Sequence, residues 1–345
     1  MTRAADTTTS SDMDLAQVVH DPMATAPGKL ARRSSLPIAV LVVLALFAVP
    51  FFAPAELSIA LTRILALALL AVSLDLLVGV GGLPSLGHAA PFGVGAYAAG
   101  ITARELTTWA PAQLVIAVAA GALLSAAIGW LVVRARGTYL LMLSLAFAEI
   151  IHVLAIQWVS VTGGDNGLVG IPAITLAPGG QPVVLAGIRY WYVLVVALLC
   201  FLGILLVSRS AFGRSLRGIR DNQERMSSLG YSTFRVKYKA FVIAGAGAGA
   251  AGALWIAQAR FVSPADLSFE VSALALLAVI IGGRGSIWGA VLGAAVVFYV
   301  RDEIGAELGG RGPLLLGVVF IAAVFLLPRG FAGLRLPRRG REVRP

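Results

Sequence analysis

The stretch SRSAFGRSLRGIRDNQERMSSLGYSTFRVKYK, residues 208–239, places eight arginine or lysine side chains among 32 residues. The chain on both sides of it is apolar over lengths that suit a lipid bilayer. A long basic segment between apolar ones is typical of a cytoplasmic loop in a membrane protein. The stretch therefore predicts two roles, which are holding the topology of the chain and contacting a soluble partner.

The composition places the rest of the chain in a membrane. Hydrophobic residues make up 59% of the 345 residues, charged residues make up 13%, and the mean hydropathy is +0.89. A soluble domain of this length needs far more charge to cover its surface, so we predict an all-α polytopic membrane protein. The net charge of +10 collects at the ends of apolar segments, where basic residues set orientation. Nucleic-acid binding is therefore not expected.

Ten apolar segments approach the roughly 20 residues that a membrane-spanning helix needs. The eighth segment is too short to cross a bilayer unaided, and the third and ninth are rich in glycine. The predicted segments are residues 37–53, 57–78, 85–103, 112–133, 138–158, 190–207, 240–259, 271–281, 286–300 and 313–327. We therefore predict about ten transmembrane or partly membrane-embedded helices.

The positions of the basic residues orient these segments. With a cytoplasmic N-terminus, 21 of the 27 arginine and lysine residues fall in cytoplasmic stretches and five in external ones, and Arg63 remains within a span. This bias predicts that both termini are cytoplasmic. The predicted parts are a disordered cytoplasmic tail (1–34), a transmembrane domain (35–328) with an external loop (159–189) and a cytoplasmic loop (208–239), and a basic cytoplasmic tail (329–345).

Two glycine-rich features add to this organisation. The external loop is rich in glycine and proline and nearly uncharged, which favours a compact cap or a docking surface over a plain linker. The segments 81–85 (GGLPS) and 282–286 (GGRGS) resemble each other, one in each half of the chain. Such an echo is typical of the inverted repeats of transporters, although chance also produces it in a chain with 39 glycines.

The sequence lacks the usual motifs of an energy-using or catalytic protein. Its three lysines, Lys29, Lys237 and Lys239, lie outside any phosphate-binding GxxxxGK[ST] loop, and no HExxH or GxSxG motif occurs. Cys200 stands alone in an apolar run, which indicates a buried thiol and no redox role. We therefore predict a protein that is not an enzyme, with no catalytic residue, no metal and no cofactor bound by this chain.

Polar side chains at membrane depth are costly and for that reason informative. Arg63 and Asp75 share the second segment but stand roughly 18 Å apart along a helix, so they cannot pair with each other. Glu149 and His152 are three residues apart and can meet on one helix face, as a structural pair or as a proton relay. His88, among small residues, is interpreted as a packing or pathway residue and not as a metal ligand.

Within the basic loop, residues 214–229 predict one short amphipathic helix that Gly230 terminates. A helix of this kind between two spans either enters a groove on a partner or rests on lipid headgroups. The DNQE patch at 221–224 favours the partner. The apolar positions of the predicted helix are Leu216, Ile219, Met226 and Leu229.

Four stretches of the chain resemble a known family. They are SLGHAAPFGVGAYAAG (85–100), RGTYLLMLSLAFAEI (136–150) followed by WVSVTGGDNGL (158–168), GRSLRGIRDNQERMSSLG (213–230) and KAFVIAGAGAGAAGAL (239–254). In this order they resemble the branched-chain amino acid ABC transporter permeases of the LivM type. The similarity runs from about residue 79 to about residue 300 and so covers most of the chain.

The resemblance implies the permease subunit of an ABC importer in the plasma (inner) membrane, which moves branched-chain amino acids or a related small amino acid or amide inward. The implied partners are a second homologous permease subunit, two ABC ATPase subunits that use ATP, a periplasmic or lipid-anchored solute-binding protein, and membrane lipid. By match to the family's coupling motif, the ATPase-docking residues are Gly213, Arg214, Arg220, Asp221, Asn222 and Gly230. By match to its span motifs, the candidate pathway or structural residues are Ser85, Gly87, His88, Glu149, Thr162, Gly163 and Gly164.

The chain departs from the family's pattern at three positions. Leu83 stands where the family usually has glutamine, Pro91 replaces an aromatic residue, and Gln223 replaces an acidic one. The first two leave the substrate open, and the third weakens one docking contact. Two other classes remain open from the residues alone. They are a stand-alone secondary transporter or channel for a small polar solute, which the scarcity of intramembrane carboxylates disfavours, and an integral-membrane enzyme, for which no convergent polar cluster is evident.

Overall fold

The computed structural model describes residues 35–52 and 54–304, together with residues 314, 317, 318, 321, 330 and 331. These residues form twelve α-helices and no β-strand, which confirms the all-α prediction for them. The chain divides into two compact units, Met1–Phe51 and Phe52–Pro345. The predicted N-terminal tail, most of the C-terminal tail and most of the tenth predicted span lie outside the described residues.

Helices match nine of the ten predicted spans. The first unit holds α1 (Ser35–Phe52) except for its last residue, Phe52. The second unit begins with α2 (Ala55–Asp75), α3 (Ala89–Ile101), α4 (Ala110–Val132), α5 (Thr138–Gln157), the short α6 (Val159–Thr162) and α7 (Ala186–Arg209). It continues with α8 (Ala211–Asp221), α9 (Gln223–Ser228), α10 (Thr233–Ala259), α11 (Phe269–Gly282) and α12 (Ile287–Phe298).

Helix length decides which of these elements can span a bilayer alone. Among the helices that the structure describes, five are long and apolar enough, namely α4, α5, α7, α10 and α2 with its π-helical continuation to Val80. The 14 residues of α11 rise only about 21 Å, which agrees with the prediction that the eighth segment is too short. Helices α3 and α12 continue as π-helical turns, Thr102–Leu106 and Tyr299–Ile304.

The core of the second unit is built on α2 and α10. In the most apolar 18-residue stretch of each helix, 61% of the residues are buried in α2 and 72% in α10. In α4, α5 and α7 the buried share of that stretch is 28% or less. The start of α10 differs from the prediction, because the helix begins at Thr233 and not at residue 240. The first two turns are basic, yet Lys237 within them is 7% exposed. The rise in hydropathy near residue 240 therefore marks the point where α10 changes from basic to apolar residues, and not the point where the helix starts.

Glycines let α3, α4 and α10 touch through their backbones. A methyl group at Gly249 would overlap the carbonyl oxygen of Ala117, and one at Gly95 would lie 2.5 Å from the Cα of Gly249. A methyl group at Gly121 would lie 2.5 Å from the carbonyl oxygen of Gly245. Close approach of this kind is how helices gain packing energy in a membrane, where lipid removes the usual hydrophobic drive between them.

The predicted external loop is a compact cap, as its turn signals indicated. It buries Leu168, Ile171 and Ile174. Its backbone is joined to other loops, since Leu168 N donates to Val262 O at 2.8 Å and Thr175 N donates to Thr108 O at 2.9 Å. We call the side of the second unit that carries residues 159–185 the cap end. Whether this surface docks a partner stays a prediction.

The loops predicted to be cytoplasmic gather at the opposite side, which we call the basic end. It comprises residues 81–88, 133–137, 208–232 and 283–286. Two of these loops bond to the end of α2: Arg220 donates to the carbonyl oxygen of Gly79, and Gly285 N donates to Asp75. The structure thus separates the two sets of loops in the way the alternating spans require.

The inverted-repeat interpretation of the GGLPS and GGRGS echo is wrong. Helix α2 runs into the first segment and α11 into the second, and both arrive at the basic end, where a side chain at Gly79 would overlap Gly285. An axis in the membrane plane would place the two segments at opposite ends. The contact between the two turns is made by Gly79 and Gly285, and neither of them is a glycine that the two segments share.

Candidate functional site

The basic loop folds into two helices and not into the single helix predicted for residues 214–229. The chain is extended at Asn222, with φ −156° and ψ 100°, between α8 and α9. The Asn222 side chain accepts a hydrogen bond from Arg225 N at 2.9 Å and so caps the start of α9. Gly230, at φ +84°, ends the segment as predicted.

The break changes which apolar side chains of the loop are buried. Leu216 and Ile219 of α8 are buried, as expected of one face of an amphipathic helix. Leu229, assigned to the same face, is instead 67% exposed, and the nearby Tyr231 is 47% exposed. Met226 packs on Gly218. The loop therefore presents two large apolar side chains on its surface beside its charges.

Five of the six predicted docking residues lie on the surface of this loop. They are Arg214, Arg220, Asp221, Asn222 and Gly230. The sixth, Gly213, is buried, and a side chain there would overlap the carbonyl oxygen of Ser208. Its place in the fold is to let α8 turn tightly away from the end of α7.

Arg220 ties the loop to the membrane helices. Its Nη1 donates to the carbonyl oxygen of Gly79 at 2.7 Å, and its Nε donates to Asp221 Oδ1 at 3.0 Å. Its aliphatic stem covers Gly82, where a side chain would collide with it. One side chain thus links the end of α8 to the last turn of α2.

The linkage continues from α2 to the turn between α11 and α12. Asp75 is 2% exposed, and its Oδ1 accepts a hydrogen bond from Gly285 N at 2.8 Å. Gly79 is wedged between these two groups, because a methyl group there would overlap both. We call Asp75, Gly79, Arg220 and Gly285 the basic-end junction. It joins α8, α2 and the α11–α12 turn.

Arg63 and Asp75 do not pair, as their spacing predicted. The hydrogen-bond partner of Asp75 is a backbone amide. The Nε of Arg63 is buried and has no hydrogen-bond partner among the described residues.

The segment before α3 is held by hydroxyl groups from two other helices, α5 and α11, and by one of its own. Leu86 N donates to Ser144 Oγ of α5 at 3.1 Å, and Ala89 N donates to Ser272 Oγ of α11 at 2.8 Å. Gly87 lies directly against the Ser144 carbonyl oxygen. Ser85 is buried and accepts a hydrogen bond from Gly87 N at 3.3 Å. Ser85 and Gly87 thus help to fix an irregular segment at the start of α3.

His88 is buried at 3% exposure and lies 2.9 Å, through Nε2, from Ser73 Oγ of α2. Ser73 Oγ also lies 2.7 Å from Leu70 O, which can only accept. The serine has one proton and gives it to that carbonyl, so His88 Nε2–H is the donor to Ser73. The cavity beside His88 measures about 10 Å³, too little for a solute. In this conformation His88 therefore lies in a packed site without room for a solute.

Replacing Ser73 with alanine is expected to lower thermal stability, because it leaves the buried His88 N–H without its acceptor. The expected cost is about 1 kcal/mol in a membrane setting. Unfolding of the purified chain, followed by circular dichroism, measures it. The double variant S73A/H88F removes both polar groups and should recover part of the loss; equal or additive losses would contradict the assigned hydrogen bond.

The other candidate residues lie along and beyond α5. Glu149 Oε1 and His152 Nδ1 are 3.2 Å apart, and the two side chains are 53% and 20% exposed. Thr162 Oγ1 lies within hydrogen-bond distance of two carbonyl oxygens at the end of α5, Ala155 O (2.6 Å) and Trp158 O (2.8 Å), which share its single proton. Gly163 and Gly164 follow at φ +79° and +62°, which favours glycine. The Glu149–His152 pair is thus exposed, and the 162–164 turn closes the end of α5.

The described residues contain no group of three potential metal-binding side chains.

Comparison with known proteins places the chain among membrane permeases of one family. The family model described as "Branched-chain amino acid transport system / permease component" matches residues 57–327. LivM, a permease protein of the high-affinity branched-chain amino acid transport system of Escherichia coli (strain K12), is 32% identical over 295 residues. The match covers 78% of this chain and 68% of LivM.

More distant relatives carry related names. BraD, the corresponding permease protein of Pseudomonas aeruginosa, is 26% identical over 287 residues, which cover 77% of this chain and 91% of BraD. LsrC, the autoinducer 2 import system permease protein of Salmonella typhi, is 30% identical over 190 residues, which cover 53% of this chain and 51% of LsrC. No solved structure matches the chain.

Proposed function

The chain belongs to the family of branched-chain amino acid transport system permease components, and from this membership we propose that it imports branched-chain amino acids, or a related small amino acid or amide, with energy from ATP hydrolysed by separate subunits. A member of this family is a membrane transporter component and not an enzyme. In the proposal the chain binds no cofactor of its own.

The basic-end junction supports the proposed coupling to ATP hydrolysis. Arg220 lies on an exposed loop and bonds to α2, and α2 bonds through Asp75 to the α11–α12 turn. A displacement of the loop would therefore reach two membrane helices through two hydrogen bonds. The exposed Leu229 and Tyr231 give a soluble subunit apolar surface to bury. We assign ATPase docking to this loop, with Arg214, Asp221 and Asn222 as polar contacts.

The proposed orientation follows from the same surface. The basic end faces the cytoplasm, because the positive-inside bias favours it and because the ATPases hydrolyse cytoplasmic ATP. Both termini are then cytoplasmic, and the cap end faces outward, where a solute-binding protein would deliver substrate. The membrane is the plasma (inner) membrane.

We place the translocation pathway between this chain and a second permease subunit. The cavity beside His88 is too small for an amino acid, whereas the face of α5 that carries Glu149 is exposed. A polar pair on an exposed face of a membrane helix is costly in lipid, so a pathway or partner should cover it. Ser85, Gly87, His88 and the 162–164 turn are then structural supports of α3 and α5.

Reconstitution in liposomes tests this function. Liposomes that contain the chain with its second permease, its ATPases and its solute-binding protein should take up labelled leucine. They should do so only when ATP is present on the side of the membrane where the ATPases lie. Leaving out the ATPases should abolish uptake. If the chain alone moves the solute without ATP, it is a stand-alone transporter or channel and the proposal fails. If ATP-driven uptake is observed, competition by unlabelled valine, small amides and autoinducer 2 assigns the substrate class.

A further inference from the structure

A cavity of about 200 Å³ opens at the basic end, beside the junction. Three segments line it: the turn 81–84 after α2, the α4–α5 turn 135–137, and residues 219–223 at the break between α8 and α9. Leu140 and Lys237 complete the lining. We call this space the basic cavity.

Three cations and one carboxylate line the basic cavity. The carboxylate, Asp221, is bonded by Arg220. Lys237 is 7% exposed, and its Nζ donates to the neutral Gln223 Oε1 at 2.5 Å. Neither Lys237 nor Arg136 forms an ion pair with any residue that the structure describes. Two positive charges therefore share the cavity without a counter-charge.

An arrangement of this kind favours an anion. An ammonium group has three hydrogen-bond donors, and a buried one is costly unless it is paired. The first turn of α5 adds to the positive potential, because its N-cap is Gly137, which has no side chain to cap the helix. Gly137 and Leu140 of that turn both line the cavity.

We propose that the basic cavity binds the phosphate group of an anionic phospholipid from the cytoplasmic leaflet; this rests on the proposed orientation of the chain. Its volume corresponds to roughly seven waters and lies below the roughly 300 Å³ at which pockets for drug-sized ligands begin. That space suits a phosphate group. Basic pockets between helices on the cytoplasmic side are known to take such headgroups.

The surroundings of the cavity favour a lipid over a dissolved anion. Arg136 and Gly137 are exposed, and the helices that flank them present large apolar side chains: Leu131 (47% exposed), Tyr139 (76%) and Met142 (69%). The guanidinium of Arg134 lies 3.8 Å from the ring centre of the half-exposed Trp130. Tryptophan and arginine mark the membrane–water interface. Acyl chains would follow the end of α4 that carries Trp130 and Leu131 while the phosphate enters the cavity, which leaves the Glu149 face of α5 to the proposed pathway.

A bound phosphate would join the α4–α5 turn to the break between α8 and α9. Residues 219–223 line the cavity and include Arg220 of the junction. The lipid would thus hold the end of the loop that we assign to ATPase docking. Anionic lipid would in this way support coupling without touching the transported solute.

Native mass spectrometry of the purified full-length chain tests the site with phosphatidylglycerol and phosphatidylcholine as probes. We expect tighter binding of phosphatidylglycerol, and binding about tenfold weaker in K237M/R136Q. Q223E supplies an internal carboxylate beside Lys237 and should weaken binding by severalfold without removing a cation. R136Q alone serves if the double variant does not fold. R235Q, which removes an exposed arginine outside the cavity lining, is the matched control and should bind as the wild type does.

Four results would overturn the proposal. The first is equal binding of the two lipids, and the second is unchanged lipid binding in all cavity variants. The third is that inorganic phosphate stabilises the lipid-free chain as much as phosphatidylglycerol does. The fourth is that the cavity variants no longer co-purify with the ATPases although they still bind lipid. The third assigns the site to a dissolved anion and the fourth to an acidic group of the ATPase. The lipid measurement needs only this chain, so it can succeed or fail independently of the uptake assay.

Discussion

Replacing Arg220 with glutamine is expected to lower ATP-driven uptake by the assembled importer by about tenfold or more, while ATP hydrolysis falls much less. The Arg220 guanidinium donates to Gly79 O at 2.7 Å, across 141 positions in the chain. A hydrogen bond from a charged group contributes about 1.5–3 kcal/mol, and about 1.4 kcal/mol is a factor of ten in an equilibrium. Glutamine is too short to span the same gap, so α8 would move without displacing α2.

Parallel measurement of leucine uptake and phosphate release in proteoliposomes checks this result, because the ratio of the two reports coupling. R225Q is the matched control: Arg225 lies on α9 of the same loop, is exposed, and has no side-chain hydrogen bond or ion pair among the described residues. Arg220→Lys keeps the charge and should recover part of the uptake. An equal fall in R225Q, or a proportional fall of uptake and hydrolysis in R220Q, would remove Arg220 from the coupling route.

The spans were predictable because membrane helices have a strong length and hydropathy signal. The charge of the basic loop likewise placed it at one end of the fold. The fold of that loop was harder to predict, because its apolar positions suit one continuous helix. The deciding signal was Asn222, whose side chain competes with the helix backbone and starts α9 instead. Leu229 is exposed for that reason.

The basic-end junction could be predicted only in part. Asp75 and Arg220 stand out in the sequence, Asp75 as a carboxylate within a span and Arg220 as a cation in the loop motif that resembles the family's. Their partners are backbone atoms of Gly79 and Gly285, which carry no side-chain signal. The repeated GG segments hinted at these turns, but similarity between two turns does not reveal that they meet. Ser73, Ser144 and Ser272 were missed for a related reason, since a single serine in an apolar helix gives no indication of its partner.

Replacing Asp75 with leucine is expected to lower uptake by about tenfold and to lower thermal stability, whereas asparagine should retain most of both. Leucine leaves the Gly285 amide without its acceptor at a buried site, which costs about 1–3 kcal/mol. Asparagine keeps an oxygen at the same position and can accept the same bond. Unfolding of the purified chain and ATP-driven uptake by the assembled importer measure the two effects. If asparagine is as damaging as leucine, the charge of Asp75 matters and the acceptor role is wrong.

The combination of the two changes tests the junction as one unit. Gly79 receives the bond from Arg220 and is wedged between Asp75 and Gly285, so the two hydrogen bonds share one piece of backbone. Effects at sites with shared partners do not add. Once leucine at position 75 has released the α11–α12 turn, losing the Arg220 bond should cost little more in uptake. R220Q/D75L should therefore transport about as well as the weaker single variant, whereas losses that multiply would mean that the loop and the α11–α12 turn act through separate routes.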